Sequence, residues 1–549
     1  MENLEFFTVS SLEKVRNKKA PVQWETHGSA LLGERYSFQV VLRFWGMGSE
    51  LNGAALELGL PQGVHATLRE VQQTAVTYAH KKRSDDYYLT HGDETLPDIL
   101  DEMPATVPYE QGYFRVKYNT YQAYWVTVEE APAGVHPITV TLSYKGEMLA
   151  ETTYTLTVID TPLVKSDLFY TNWMHYDSIA NYYGVKVWSD RFNDLVDAYI
   201  SSAKRHGMTC LYIPLVTPPL DTRIGGERTT VQLLDVTVTD GEYSFGFDRV
   251  VAFMKRAEAL GFEHFEMTHL FTQWGLEAAP KVIATVDGEE KRIFGWDTPS
   301  DGDAYVGFLR AMLPSLRARL VAEGLYEKCL WHLSDEPSER HLPRYRALRA
   351  LVRELMPDAV VFDALSHYEF YEEGLVDRPI VALTAVNSYV EHGAEGYGVY
   401  YCTGQDENYV SNRFIAMPSE RTRIIGMQLY LNGVKSFLHW GFNFWSSALS
   451  IMPLDPYRYN DCRGVFESGD PFVVYPGREG PVDSLRHELI SDALSDYRAL
   501  LTLEGKIGRE ATCKLLLDAG MKQNFNDYPH SALWLKQTRE AINRAIAEN

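Results

Sequence analysis

Over the first 160 residues the chain alternates short apolar runs with turn residues. YSFQVVLRFW (36–45), YFRVKYNTY (113–121), AYWVTVEE (123–130), HPITVTLSYKG (136–146) and AETTYTLTVID (150–160) are rich in β-branched and aromatic side chains. Breakers such as APAG (131–134) separate them, which is the pattern of strands. Consecutive strands without a helical period between them predict a β-sandwich. The segment 80–104, HKKRSDDYYLTHGDETLPDILDEMP, interrupts the pattern with charges and with Pro97 and Pro104, and predicts a long loop. Its acids lack the regular ligand spacing of a calcium loop.

From about residue 166 strand-like runs alternate with helical periods. Candidate strands lie at 168–173, 208–214, 263–269, 328–333, 359–364, 380–386, 397–402 and 436–441. Between them, 189–206 places Phe192, Leu195, Val196, Tyr199 and Ile200 on one face, starts at a Ser189–Asp190 cap and stops at Gly207. Residues 303–323 repeat this spacing up to Gly324, 248–260 end at Gly261 and 420–432 end at Gly433. Eight strands alternating with helices predict a (β/α)8 TIM barrel, although the helices between strands five to seven are short or poorly patterned. From about 481 the pattern is helical, with amphipathic stripes over 484–508 and 531–549. The predicted organisation is multidomain: an N-terminal β-sandwich (1–163), a (β/α)8 barrel (164–480) and a helical C-terminal extension packed on the barrel (481–549). This division suits 549 residues, too many for one core.

Composition narrows the partners. A formal charge of −22 disfavours nucleic acid and anionic membrane. No apolar run reaches the length of about 18 residues that a membrane span needs. The five cysteines are widely spaced, form no Cys-x-x-Cys pair and suggest neither zinc nor a disulfide framework. The opening MENLEFFTVSSLEKV lacks the basic and apolar regions of a signal peptide, so the expectation is a cytoplasmic protein, a secreted form with its signal removed remaining open. Aromatics make up 13% of the chain, which suits stacking on sugar faces as well as core filling. Oligomeric state leaves no trace.

The candidate chemistry sits in CLWHLSDEPSERH (329–341). An apolar fourth strand runs into Asp335 and Glu336, followed by the strand-stopping Pro337. In such barrels the active site forms at the carboxyl ends of the strands. A plain helix N-terminus, capped by Ser334 or Asp335, explains part of the same motif. Other strand ends carry Trp173 and His175; His269 and Trp274; His367; Asn387 and Tyr389; Tyr401; and Trp440, Asn443 and Trp445. These suggest a pocket with apolar walls and polar hooks. Two glycosidase chemistries fit. In one, Glu336 is acid/base and a second carboxylate attacks the anomeric carbon; no Glu stands directly at the end of strand seven, and Glu407 lies several residues beyond. In the other, a 2-acetamido sugar attacks its own anomeric carbon; Asp335, ionised, holds the acetamido N–H and Glu336, protonated, is the acid/base.

The chain resembles glycoside hydrolase family 123, the β-N-acetylgalactosaminidases, and its wider group of relatives sharing the C-terminal catalytic region. The resemblance rests on LSDEP (333–337), VYYCTG (399–404), RIIGMQLYLNGVKSFLHWGFNFW (423–445), FVVYPGREGPVDSLRHELISDALSDYRAL (472–500) and ALLGERYSFQVVL (30–42). It implies a β-sandwich followed by a (β/α)8 barrel, and retention of configuration through an oxazolinium intermediate. It places the Asp-Glu pair at Asp335 and Glu336 and requires no cofactor or metal. The implied substrate is a carbohydrate with a terminal β-linked N-acetylhexosamine, N-acetylgalactosamine favoured. A retaining glycosidase of other specificity and a non-catalytic sugar-binding protein remain as alternatives.

Overall fold

The computed structural model describes residues 3–45, 51–77, 85–102 and 114–549. The strands before residue 163 are β1 Leu4–Ser10, β2 His27–Leu32, β3 Tyr36–Phe44, β4 Leu51–Gly59, β5 His65–Val76, β6 Glu94–Glu102, β7 Phe114–Val116, β8 Gln122–Glu130, β9 Gly134–Tyr144 and β10 Glu147–Pro162. They form two five-stranded sheets, ordered β1-β3-β8-β5-β6 and β2-β10-β9-β4-β7. Phe38, Val40, Val126 and Val128 of the first sheet meet Ile138, Val140, Tyr154 and Leu156 of the second in one buried cluster, as in a face-to-face sandwich.

The first sheet is covered on its other face as well. Phe7, Val9, Val41, Val71, Leu100 and Trp125 are buried there with Leu485. Burial on both faces explains why the middle of β3, Val40–Val41–Leu42, is apolar on successive residues. The expected loop over 80–104 is corrected in part. Glu94–Glu102 is strand β6, with Pro97 opposite Gln73 beside a register shift. Because β6 ends its sheet, the missing N–H of Pro97 is tolerated. Residues 80–84 and 103–104 of that segment lie outside the described residues.

The second half carries β11 Phe169–Asn172, β12 Cys210–Ile213, β13 Asp235–Thr239, β14 Glu242–Gly246, β15 His264–Met267, β16 Val282–Val286, β17 Glu289–Phe294, β18 Cys329–Trp331, β19 Ala364–Leu365, β20 Ile380–Ala382, β21 Gly398–Tyr400 and β22 Ser436–His439. Strands stand at or beside all the expected barrel positions, but they do not form one continuous ladder. β11-β22-β21-β20-β19 is one parallel sheet and β12-β15-β18 is another. At one seam Trp331 bridges Val361; at the other the Thr209 N–H donates to the Tyr170 carbonyl at 3.0 Å.

Two unexpected hairpins, β13–β14 and β16–β17, join in a separate four-stranded sheet. Each turns on Asp-Gly: Asp240–Gly241 and Asp287–Gly288 all have positive φ, as a two-residue turn between twisted strands requires. The helix Asp190–Arg205 is capped as the sequence predicts, with Ser189 Oγ accepting the Phe192 N–H. The stretch 420–432 divides into Ser419–Arg423 and Ile425–Leu431.

The C-terminal helices Leu485–Ile507, Arg509–Asp518 and Ala532–Glu548 touch both halves. A Cβ on Gly426 would lie 1.8 Å from the Ala493 carbonyl oxygen, so glycine permits the close helix approach there. Fully buried Arg486 pairs with Asp98 of β6 at 2.8 and 2.9 Å and donates to the Gly469 and Phe472 carbonyls. Arg539 pairs with Glu34 of the sandwich at 2.7 Å, and Arg423 with Asp496 at 2.7 Å. Among the described residues no helix is long and apolar enough to cross a membrane.

Removing one partner of a buried ion pair strands the other. Arg486→Met is therefore expected to lower unfolding stability by about 3–5 kcal/mol. Denaturant titration followed by circular dichroism measures this; a loss below about 1 kcal/mol would give the pair no more than the weight of a surface contact.

Candidate active site

The chain from His332 to Pro337 leaves β18 under unusually tight control. The buried Asp363 carboxylate accepts the Leu333 N–H at 2.9 Å, the Ser334 N–H at 3.3 Å and the Tyr345 hydroxyl, and contacts His332 Nδ1 at 2.9 Å. Ser334 Oγ donates to the Thr272 carbonyl at 2.9 Å. The Asp335 carbonyl then takes the Trp274 N–H at 2.9 Å, and the Glu336 N–H donates to the Ala364 carbonyl at 3.0 Å. Glu336 is left at φ +46°, immediately before Pro337. That backbone region is costly for a non-glycine residue, by about 1–3 kcal/mol, and persists only where surrounding bonds impose it.

These bonds aim both carboxyl groups into one hollow of about 150 Å³. Trp173, Trp274, Trp440 and Phe466 supply rings; Leu220, Ala364 and Leu438 supply aliphatic surface; Asp221, Tyr400, Cys402 and Thr403 supply polar groups. The walls come from the carboxyl ends of strands in both parallel sheets. Tyr400 donates its hydroxyl to Glu336 Oε1. Glu336 has substantial accessible surface, which faces the concavity.

Burial pushes Asp335 well above the usual carboxylate range, and the neighbouring Glu336 charge adds to this against the opposing pull of His332. Burial also raises Glu336, while the Tyr400 hydrogen bond restrains it. Two adjacent carboxyls in one hollow resist double ionisation, so the pair keeps a proton above the normal range.

Asp221, at the wall, is pushed up to about 6 by burial although the Leu449 N–H donates to it at 2.8 Å. Asp470, behind the wall, accepts the Trp440 indole N–H at 3.0 Å; burial, opposed by Arg413, pushes it up to about 7.

Of the residues expected on the wall, Asp335, Glu336, Trp173, Trp274 and Trp440 are brought together. The others are elsewhere. His175 is buried behind Trp440, with Nε2 2.9 Å from the Trp440 carbonyl and Nδ1 2.9 Å from Arg228 Nη2. Burial and Arg228 hold it down to about 3, so it is neutral, donating from Nε2 and accepting at Nδ1. Asn443 brackets the His175 backbone with bonds of 2.8 and 3.1 Å. Trp445 is buried and donates to the Val474 carbonyl at 3.2 Å. His269 is buried and stacks on His332 at 4.1 Å. His367 pairs with Glu339 at 3.2 Å near the surface. Asn387 is exposed on the helix Val386–Glu391, whose Tyr389 is buried with its hydroxyl on the His367 carbonyl. Tyr401 is buried against Phe437 and His439.

The Tyr401 displacement is a matter of strand parity. Neighbours on a strand face opposite ways, and Tyr400 and Cys402 take the pocket side. The period of two in VYYCTG carries that signal. Leu220, Asp221 and Phe466 come from long connections that carry none.

Two groups of the described residues bring His and carboxylate ligand atoms within 4.8 Å of one another: His206, Asp483 and His487, and Glu339, His367 and Glu369. In the first, Arg69 already donates to Asp483 and to the adjoining Glu488 at 3.1 and 2.6 Å, supplying the positive charge. The second is near the surface. Neither lines the pocket.

The profile of the glycoside hydrolase 123 catalytic domain matches residues 173–503. No curated protein sequence matches the chain. Among solved structures, a family 123 glycoside hydrolase from Clostridium perfringens, studied for glycolipid glycan hydrolysis, superposes with a TM-score of 0.72 at 14% identity. That match covers 100% of this chain and 97% of the other, and shows a shared fold. A family 39 glycoside hydrolase from Bacteroides cellulosilyticus WH2 aligns over 86% of this chain and 81% of its own at 9% identity, with a TM-score of 0.34.

A carboxyl raised on folding binds its proton more tightly in the folded than in the unfolded chain. Stability from it is present at acidic pH and is lost as pH rises from the usual carboxylate range through the raised one. Asp335→Asn removes this loss. The variant is expected to melt above wild type at pH 7, with the gap shrinking towards pH 4. Thermal unfolding across pH measures it, and a gap that widens on acidification would contradict the raised pair.

Proposed function

Because the chain belongs to glycoside hydrolase family 123, we propose that it is a retaining exo-β-N-acetylhexosaminidase, acting on terminal β-linked N-acetylgalactosamine by substrate assistance. The observation that carries this proposal is the convergence of Asp335, Glu336 and Tyr400 in one ring-walled hollow. The proposal also takes the two parallel sheets as parts of one (β/α)8 barrel over 164–480, between a sandwich at 1–163 and a helical extension at 481–549. Wall residues drawn from strand ends of both sheets support that architecture.

In the proposed reaction the acetamido oxygen attacks the anomeric carbon as the glycosidic C–O bond breaks. Glu336 gives its proton to the leaving oxygen. The resulting oxazolinium carries positive charge, which the Asp335 carboxylate balances while accepting the acetamido N–H. Glu336, now a carboxylate, takes a proton from water as that water attacks the anomeric carbon; the bond from that carbon to the acetamido oxygen breaks, the acetamide is restored and configuration is retained.

The two raised carboxyls of the empty pocket share one proton, and the substrate directs where it sits. An acetamido N–H beside Asp335 favours its ionised form. If the Tyr400 hydroxyl turns to the acetamido carbonyl, Glu336 loses the bond that restrained its proton affinity. Binding thus settles the shared proton on Glu336. A 2-hydroxy sugar offers no N–H and leaves the proton undirected. The glycolipid glycan hydrolysis of the Clostridium perfringens enzyme supports a glycan, free or lipid-borne, as the carrier of the terminal sugar.

Asp221 is a third carboxyl on the wall and favours, as a second reading, a protein nucleophile. A thiazoline analogue of the oxazolinium separates the two: tight competitive inhibition belongs to substrate assistance, indifference to a protein nucleophile. On an aryl 2-acetamido-2-deoxy-β-galactoside, Asp335→Asn and Glu336→Gln are each expected to lower kcat/KM by about 10²–10⁴-fold. Near-normal turnover in both variants would remove the pair from the mechanism.

A further inference from the structure

Below the pocket floor lies a buried charged group that the reaction above does not use. His332 is wholly buried, with Nε2 on Glu266 and Nδ1 2.9 Å from Asp363. Both partners are carboxylates with no access to solvent. An ionised carboxylate only accepts hydrogen bonds, so both ring nitrogens must donate. Burial alone would lower the imidazole, but Glu266 and Asp363 override it and push it up to about 9.

Each carboxylate also holds a piece of the active pocket. Glu266 accepts the Trp173 indole N–H at 2.7 Å and the Thr171 hydroxyl at 2.6 Å, and Trp173 is a wall of the pocket. Asp363 takes the two backbone N–H groups that lead into Asp335. His332 therefore joins the ring wall to the acid-bearing turn through one cation. The other groups around it are His269, stacked on it and held neutral by burial and by its charge, and the edges of Trp173 and Phe362. Tyr212 meets His269 Nδ1 at 3.1 Å, and Tyr345 binds Asp363. Asp335 itself feels Glu336, Asp363 and Asp221 as like charges, with His332 as the opposing one.

We propose that His332 is a positioning residue of the proposed glycosidase: a cationic imidazole, held between Glu266 and Asp363, that fixes the Asp335 turn against Trp173 and lends Asp335 the positive charge its ionised form requires. This inference rests on the functional reading above for its kinetic consequence, though not for its charge state.

The test uses the full-length protein, His332→Gln, and the double variant His332→Gln/Glu266→Gln. The double variant keeps the core volume and leaves Asp363 with its Tyr345 and backbone donors, so it preserves folding if the single variant does not. In a ¹⁵N-histidine spectrum of the unliganded protein, one imidazole should have both nitrogens protonated at pH 8, and both variants should lose that signal. A wild-type spectrum without such a ring overturns the proposal whatever the enzyme hydrolyses. On the aryl 2-acetamido galactoside, kcat should fall about 10²-fold through misplacement of the turn. The acid limb of kcat/KM, which reports the ionised Asp335, should move up by about one pH unit through loss of the cation. A fall in kcat with the acid limb unmoved reduces His332 to a packing residue and overturns the proposal. Wild type inert on every 2-acetamido glycoside would instead sink the functional reading and leave the spectroscopic result standing.

Discussion

A carboxylate sealed from water must find its hydrogen bonds in the protein or give up its charge, and Asp363 finds them in the turn that carries Asp335 and Glu336. Two backbone N–H groups, one phenol and one imidazole converge on it. Because these donors sit at the end of β18, satisfying Asp363 dictates where the chain goes next. The left-handed backbone of Glu336 is the visible result. Geometry that a free Glu-Pro step would avoid is imposed by an electrostatic demand one layer down.

The pocket above inherits that arrangement. Its rings are also set from behind: Asp470 and His175 fix the Trp440 indole and carbonyl, Glu266 fixes the Trp173 indole, and Arg228 holds the loop of Leu220 through the Leu220 carbonyl. Trp173 and Trp440 each present an apolar face forward and a hydrogen-bonded edge behind, the amphipathic use to which tryptophan is suited. The acid pair stands among these surfaces, where two adjacent buried carboxyls resist double ionisation.

Much of this was legible. The strand-to-acid transition at 329–336, the alternation of strands and helices after 166 and the helical end all appear as hydrophobic periods. Three of the pocket rings, Trp173, Trp274 and Trp440, follow from standing at strand ends. What failed did so for identifiable reasons. His175, His269 and Asn443 look like ligands for sugar hydroxyls, yet a polar side chain at a strand end serves equally well to satisfy buried backbone, and the letter code does not distinguish the two. Tyr401 was one residue off the correct face. The β13–β14 and β16–β17 hairpins turn on Asp-Gly pairs that lie inside the larger alternation of strands and helices. β6 is masked by a proline that an edge strand accepts. Asp363 reads as a strand residue, and only three-dimensional proximity reveals its reach across 31 positions to His332.

The position of Arg486 has a bearing on how the molecule comes into being. This residue, deep in the last third of the chain, grips Asp98 of the sandwich and the carbonyls of Gly469 and Phe472. The segment it anchors carries Phe466 and Asp470, which finish and brace the pocket. During synthesis the sandwich and most of the parallel strands emerge before the guanidinium that ties them together. Competence for chemistry thus arrives late and all at once, with the closing helix as keystone. Excising either half as a portable module would cut the Arg486–Asp98 pair and leave one of its charges buried alone.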